Sequence, residues 1–137
     1  MRKLQDILYK VHLKEVHGST NVIVNDIQID SRKITKGSVF VAIRGEQTDG
    51  HKFFDKAIEL GAAVIVCETL PKNFVTTITY LQVQNSNEAV AYIAHNFYNE
   101  PSQKTKLVGV TGTNGKTTIA TVLFKLFTQL GYKCGLI

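Results

Sequence analysis

The chain has 137 residues, enough for one ordinary domain or for one small domain and part of another. Apolar residues make up 44% and charged residues 20%, and 16 Lys+Arg against 11 Asp+Glu leave a net charge of +5, suited to anionic partners such as phosphates. The bases are scattered, so no basic stripe with interleaved aromatics points to nucleic acid, and no apolar run is long enough for a membrane span.

In chain order, Leu4, Ile7, Leu8 and Val11 fall at helical spacing and predict a short amphipathic opening helix. Asp6, Lys10 and Lys14 interrupt any apolar run there, so a signal peptide is not expected. The alternation of Val22–Val24 into Ile27–Asp30, and the apolar run Ser38–Ile43 after the turn at Thr35–Gly37, predict strands. Phe53–Leu60 reads as a helix with Gly61 behind it, and Ala63–Cys67 as a buried strand, giving a βαβ unit with parallel pairing. The Phe53/Phe54 pair is read as core, and His51 as a loop or strand-end histidine in preference to a catalyst.

Ile78–Val83 is a further strand. Asn85, with Glu88 three residues on, opens a helix whose apolar stripe is Ala89, Val90, Ile93, Ala94 and Phe97. Pro101 and the polar stretch to Lys106 break it. Leu107–Thr111 reads as a strand, Lys116–Leu130 as a helix with Val122, Leu123, Leu126, Phe127 and Leu130 inward, and the residues after Gly131 as another strand. Cys67 and Cys134 have no metal-like spacing and are read as reduced thiols in apolar surroundings.

Between the last strand and helix lies Val110-Thr-Gly-Thr-Asn-Gly-Lys-Thr-Thr118. Glycines let backbone N–H groups turn toward phosphate oxygens, and the following helix aims its free N–H groups at the same anion. Lys116 is the candidate catalytic residue, a point charge for the β and γ phosphates. The Thr117 hydroxyl is the candidate Mg²⁺ ligand. Val110 stands where the common phosphate-loop pattern has its first glycine. A chance Gly-Lys-Thr in a surface turn is the bland alternative, and an apolar segment on one side with an amphipathic helix on the other argues against it.

Gly112–Thr118 with Val110 before it, together with Asp30-Ser-Arg32, Gly37–Gly45, Thr48–Phe53, Ala57-Ile58, Gly61–Val66 and Glu100-Pro-Ser102, resembles the Mur ligase family over essentially the whole chain. These motifs are closest to the member that adds the third residue of the peptidoglycan stem peptide, with the member that adds the terminal dipeptide as the alternative. A non-catalytic UDP-sugar-binding module is the rival outside enzymes.

The resemblance implies an α/β fold: a small N-terminal α/β domain with a mixed sheet over residues 1–84, binding UDP-MurNAc, then over 85–137 the first βα unit of a P-loop ATPase-like central domain. It implies ATP bound by Gly112, Thr113, Asn114, Gly115, Lys116, Thr117 and Thr118, and UDP-MurNAc contacted by Ile29, Ser31, Glu46, Gln47 and Thr48. Glu46 is expected to serve through its backbone, since a carboxylate beside a diphosphate is unfavourable. The implied reaction phosphorylates the D-glutamate carboxylate of UDP-MurNAc-L-Ala-D-Glu with ATP and Mg²⁺. A diamino acid, diaminopimelate or lysine, then attacks the acyl phosphate. A cytoplasmic monomer acting on small molecules, away from nucleic acid and membrane, is expected. The metal-ligand set, the rest of the ATPase sheet and the amino-acid-selecting domain are expected beyond Ile137, and the 137 residues alone are expected to be inactive in ligation.

Overall fold

The computed structural model describes residues 1–45 and 48–137, which form two compact units, 1–104 and 105–137. In the first unit the strands are β1 (Arg2–Lys3), β2 (Leu13–His17), β3 (Ile23–Val24), β4 (Asp26–Gln28), β5 (Ser38–Val41), β6 (Val64–Cys67) and β7 (Thr79–Val83). The helices are α1 (Leu4–Ile7), α2 (Phe54–Glu59), α3 (Ser86–Phe97) and the single turn α4 (Pro101–Lys104). β1 and β3 form a small antiparallel pair, and the main sheet runs β2-β7-β6-β5-β4. β4, β5, β6 and β7 are parallel, whereas β2 is antiparallel to β7, so the sheet is mixed.

The two-residue period of the strands decides the core. Val39, Val41, Val64, Val66 and Leu81 face α1 and α3, where Leu4, Ile7, Ala89 and Ile93 are buried. Phe40, Ala42, Ile65, Cys67 and Tyr80 face the other way, onto Ala57 of α2, with Phe53, Phe54 and Ile58 packed alongside. Both faces are covered, which is why Ser38–Val41 and Val64–Cys67 read as continuous apolar runs. The Phe53/Phe54 pair is half-buried and packs against this core, in line with the sequence reading.

Local chemistry sets the helix ends. The Asn85 side chain accepts from the Asn87 and Glu88 amides, capping α3. α2 ends at Gly61, whose N–H donates to the Ile58 carbonyl while Ala62 N–H reaches Ala57. α3 packs its apolar stripe into the first core, so the first unit continues past residue 84 to Lys104.

Three expectations are corrected. Leu107–Thr111 and the residues after Gly131 carry no strand ladder, because a strand exists only with a partner and none pairs with them among the described residues. In the second unit the helix α5 (Lys116–Gln129) forms as expected, but its apolar stripe is not inward. Val122, Leu126, Phe127 and Leu130 are exposed, since no second layer packs on them within the unit. Cys134 is exposed too, whereas Cys67 is buried and its thiol is pushed up to about 12 by desolvation, leaving it unreactive. No helix among the described residues is long and apolar enough to cross a membrane.

Candidate functional site

In the second unit the phosphate-type loop leads straight into α5. Gly115 is the residue before the helix, left-handed at φ 73°, and gives no side-chain cap. A Cβ there would meet nothing within 4 Å, so the backbone angle alone is what glycine supplies. Gly112 also has positive φ, at 152°. The helix contains 14 residues, so its first-turn N–H groups and dipole end are well formed, and they face the loop with no capping side chain in the way. Lys116 Nζ donates to the Gly112 carbonyl at 2.5 Å, which folds the ammonium back over the loop. Thr117 is exposed in the first turn, and its carbonyl accepts from Thr121 Oγ1. Thr113, Asn114 and Thr118 are exposed as well.

In the first unit, parallel pairing brings the segments after β4 and β5 to one edge of the sheet, the edge where open α/β sheets place ligands. Ile29 is 60% exposed there. Asp30 caps a 3₁₀ turn over Ser31–Lys33 by accepting from the Arg32 amide. The Arg32 guanidinium then grips the same carboxylate with two bonds, of 2.9 and 2.8 Å. These bonds hold the Asp30 carboxyl well below the usual carboxylate range. Ser31 is only 7% exposed, and its hydroxyl has no hydrogen-bond partner among the described residues. Thr48 is exposed beyond β5, and its carbonyl accepts from the Gly45 amide at 3.0 Å. Ile29, Ser31 and Thr48 therefore share one sheet edge, whereas Glu46 and Gln47 lie outside the described residues.

A network that the sequence reading did not single out stands behind Thr48. Arg44 and Asp49 form an isolated antiparallel bridge at the base of the 44–49 loop, and Gly50 N–H donates to the Ile43 carbonyl. A Cβ on Gly50 would lie 2.8 Å from the Ile43 nitrogen, so only glycine allows this closure. Asp49 caps the next 3₁₀ turn through the His51 amide and lies 2.6 Å from His51 Nδ1. These two contacts, the amide first, lower the Asp49 carboxyl. His51 Nε2 accepts from the Glu68 and Thr69 amides at 3.0 and 3.3 Å. Arg44 donates to Thr69 Oγ1 at 2.8 Å. The signal available in the sequence was Asp49-Gly-His51 ahead of a helix, an aspartate placed to cap a turn. An open cleft of about 460 Å³ lies beside this network, between α2 and the 69–75 loop.

Comparison with known proteins fits this geometry. The model of the Mur ligase family, catalytic domain, matches residues 23–99. A curated relative from Cytophaga hutchinsonii, named UDP-N-acetylmuramoyl-L-alanyl-D-glutamate--2,6-diaminopimelate ligase, is 53% identical over 136 residues. The match covers 98% of this chain and 28% of the relative, so the chain spans somewhat over a quarter of that protein's length. Among solved structures, a MurF ligase from Thermotoga maritima in complex with ADP is 30% identical, with a TM-score of 0.57 over 77% of this chain and 24% of the other. MurF from Acinetobacter baumannii, at 24% identity, shares the fold with a TM-score of 0.66 over 93% of this chain and 28% of its own. With more than half of its residues matched by the family model, the chain belongs to the Mur ligase family.

Proposed function

We propose that these residues are the nucleotide-substrate-binding part and the opening phosphate loop of an ATP-dependent ligase. It adds diaminopimelate to UDP-MurNAc-L-Ala-D-Glu in peptidoglycan synthesis. The observation that carries this reading is the 53% identity, across 98% of the chain, to a relative named as that ligase. Its weight is greatest in combination with the loop at Gly115–Thr117, whose left-handed glycine and uncapped helix start suit a triphosphate. The ADP bound by the Thermotoga relative supports ATP as the nucleotide.

In this reading residues 1–84 bind UDP-MurNAc and residues 85–137 begin the ATP-binding domain, with α3 packed on the first. Gly112 to Thr118 cradle the phosphates, and Lys116, exchanging the Gly112 carbonyl for phosphate oxygens, places a positive charge beside the transferred group. The Thr117 hydroxyl would be the residue of this chain that holds a Mg²⁺. Among the described residues no cluster of three His, Cys, Asp or Glu stands ready to hold a metal without nucleotide. At that position the metal would supply positive charge against the phosphates. The free Ser31 hydroxyl, with Glu46, Gln47 and Thr48, serves the uridine diphosphate, and Ile29 lies against the uracil. The protein acts as a monomer on small molecules in the cytoplasm.

The test is a titration of the chain with each nucleotide while backbone amides are observed. ATP·Mg²⁺ is expected to move Gly112–Thr118, and a Lys116→Ala variant is expected to bind it about 10- to 100-fold more weakly, the loss of one charged hydrogen-bonding group. Unchanged affinity in that variant would remove Lys116 from the site.

A further inference from the structure

His51 uses both ring nitrogens within the fold. Its Nε2 accepts from two backbone amides, Glu68 and Thr69, which requires a lone pair there and puts the ring proton on Nδ1. That Nδ1–H then donates to Asp49 Oδ1 at 2.6 Å. The ring is 11% exposed and tilts against Phe54, so it is also fixed by packing. A ring with both nitrogens committed in this way has no site left for acid–base work.

What the ring holds is the loop that carries Thr48. Asp49 closes that loop against Arg44, and Gly45 N–H reaches the Thr48 carbonyl across it. Both stems are tied to the same short segment after β6: Arg44 to Thr69 Oγ1 on one side, His51 to the Glu68 and Thr69 amides on the other. The anchor is itself held, because Glu68 Oε1 accepts from the Ser86 amide at the start of α3, and the Glu68 carbonyl accepts from Gln82.

We propose that His51 is a positioning residue for the diphosphate end of the substrate, holding Thr48 and the stem formed by Arg44, Gly45 and Asp49 in place through the Nδ1–H tautomer. The inference rests on the reading that Ser31 and Thr48 face a uridine diphosphate. Affinity scales with the fraction of molecules in which Thr48 is already placed for binding, so loosening the stem lowers UDP affinity without removing any group that touches UDP. Glutamine at 51 keeps an acceptor for the two amides, and leucine keeps none.

The experiment is calorimetric titration of UDP into the 137-residue chain and into His51→Gln and His51→Leu, with amide spectra recorded to establish folding and ATP·Mg²⁺ titrated as control. His51→Leu is expected to bind UDP about tenfold more weakly, and His51→Gln within about threefold of wild type, the difference being the amide acceptor. ATP affinity is expected to be the same in all three. A folded His51→Leu that binds UDP like wild type would overturn the proposal, as would His51→Gln being no better than leucine. Absence of UDP binding by the wild type would instead overturn the substrate reading beneath it. Should His51→Leu fail to fold, the wild-type imidazole nitrogen spectrum decides together with His51→Gln. An Nδ1–H tautomer supports the clamp, and an Nε2–H tautomer refutes it.

Discussion

Asp30 and Asp49 show how two aspartates of similar local role differ in consequence. Each caps a 3₁₀ turn after a strand of the parallel sheet, but Asp30 is gripped by exposed Arg32, while Asp49 lies against a nearly buried imidazole. The lowered Asp49 carboxyl gives a pH dependence of definite sign. Its contribution to stability is fully present above the ordinary carboxylate range and is lost as pH falls through the lowered folded-state value. Urea midpoints followed from about pH 6 to about pH 3 should therefore fall in the wild type, and fall less steeply in Asp49→Asn. Equal slopes would show that the carboxylate is not linked to folding. At the phosphate loop, Gly115→Ala is expected to leave the first unit's unfolding unchanged, while straining the left-handed residue that starts α5 and weakening ATP binding. Of the residues proposed at the sites, the phosphate-loop set, Lys116 included, was legible because its types and spacing carry the chemistry in themselves. The His51 clamp was less so, because its partners at Glu68 and Thr69 are distant in sequence and contribute only backbone amides, which leave no mark on residue identity.

Among the elements, the parallel strands β5 and β6, together with α2 and α3, were readable for a common reason: burial on both sheet faces demands apolar runs, and capping residues mark the helix ends. β2 was not readable. Leu13-Lys-Glu-Val-His17 lies at the sheet's edge with most of its residues exposed, so it needs no apolar pattern, and its register is set by β7 far along the chain. The opposite error occurred at Leu107–Thr111, where β-branched and apolar composition suggested a strand that has no ladder partner here. Two substitutions test the element-scale account. Leu81→Ala, at a fully buried site between β7 and the α1/α3 layer, is expected to cost about 2–5 kcal/mol. Asn85→Ala, which leaves the Asn87 and Glu88 amides uncapped, is expected to cost about 1 kcal/mol. Denaturant unfolding of each variant checks both, and similar losses at the two positions would argue against the core assigned here.

For the whole molecule, the sequence suggested a mixed α/β sheet followed by a phosphate-loop unit, and the five-stranded sheet and α5 have that form. The exposed apolar stripe of α5, with Ile119, Val122, Leu126 and Leu130, belongs to a helix that no layer covers within its own unit. That accounts for why its inward face could be read from periodicity and yet is not buried. The central claim is that one chain carries two separate nucleotide sites, one in each unit. Backbone-amide NMR during sequential addition of ATP·Mg²⁺ and UDP tests it directly. The account predicts two disjoint sets of shifts, Gly112–Thr118 for ATP and Ile29–Ser31 with Thr48 for UDP, each unaffected by the other ligand. A single set of residues responding to both ligands, or no response at either place, would contradict it.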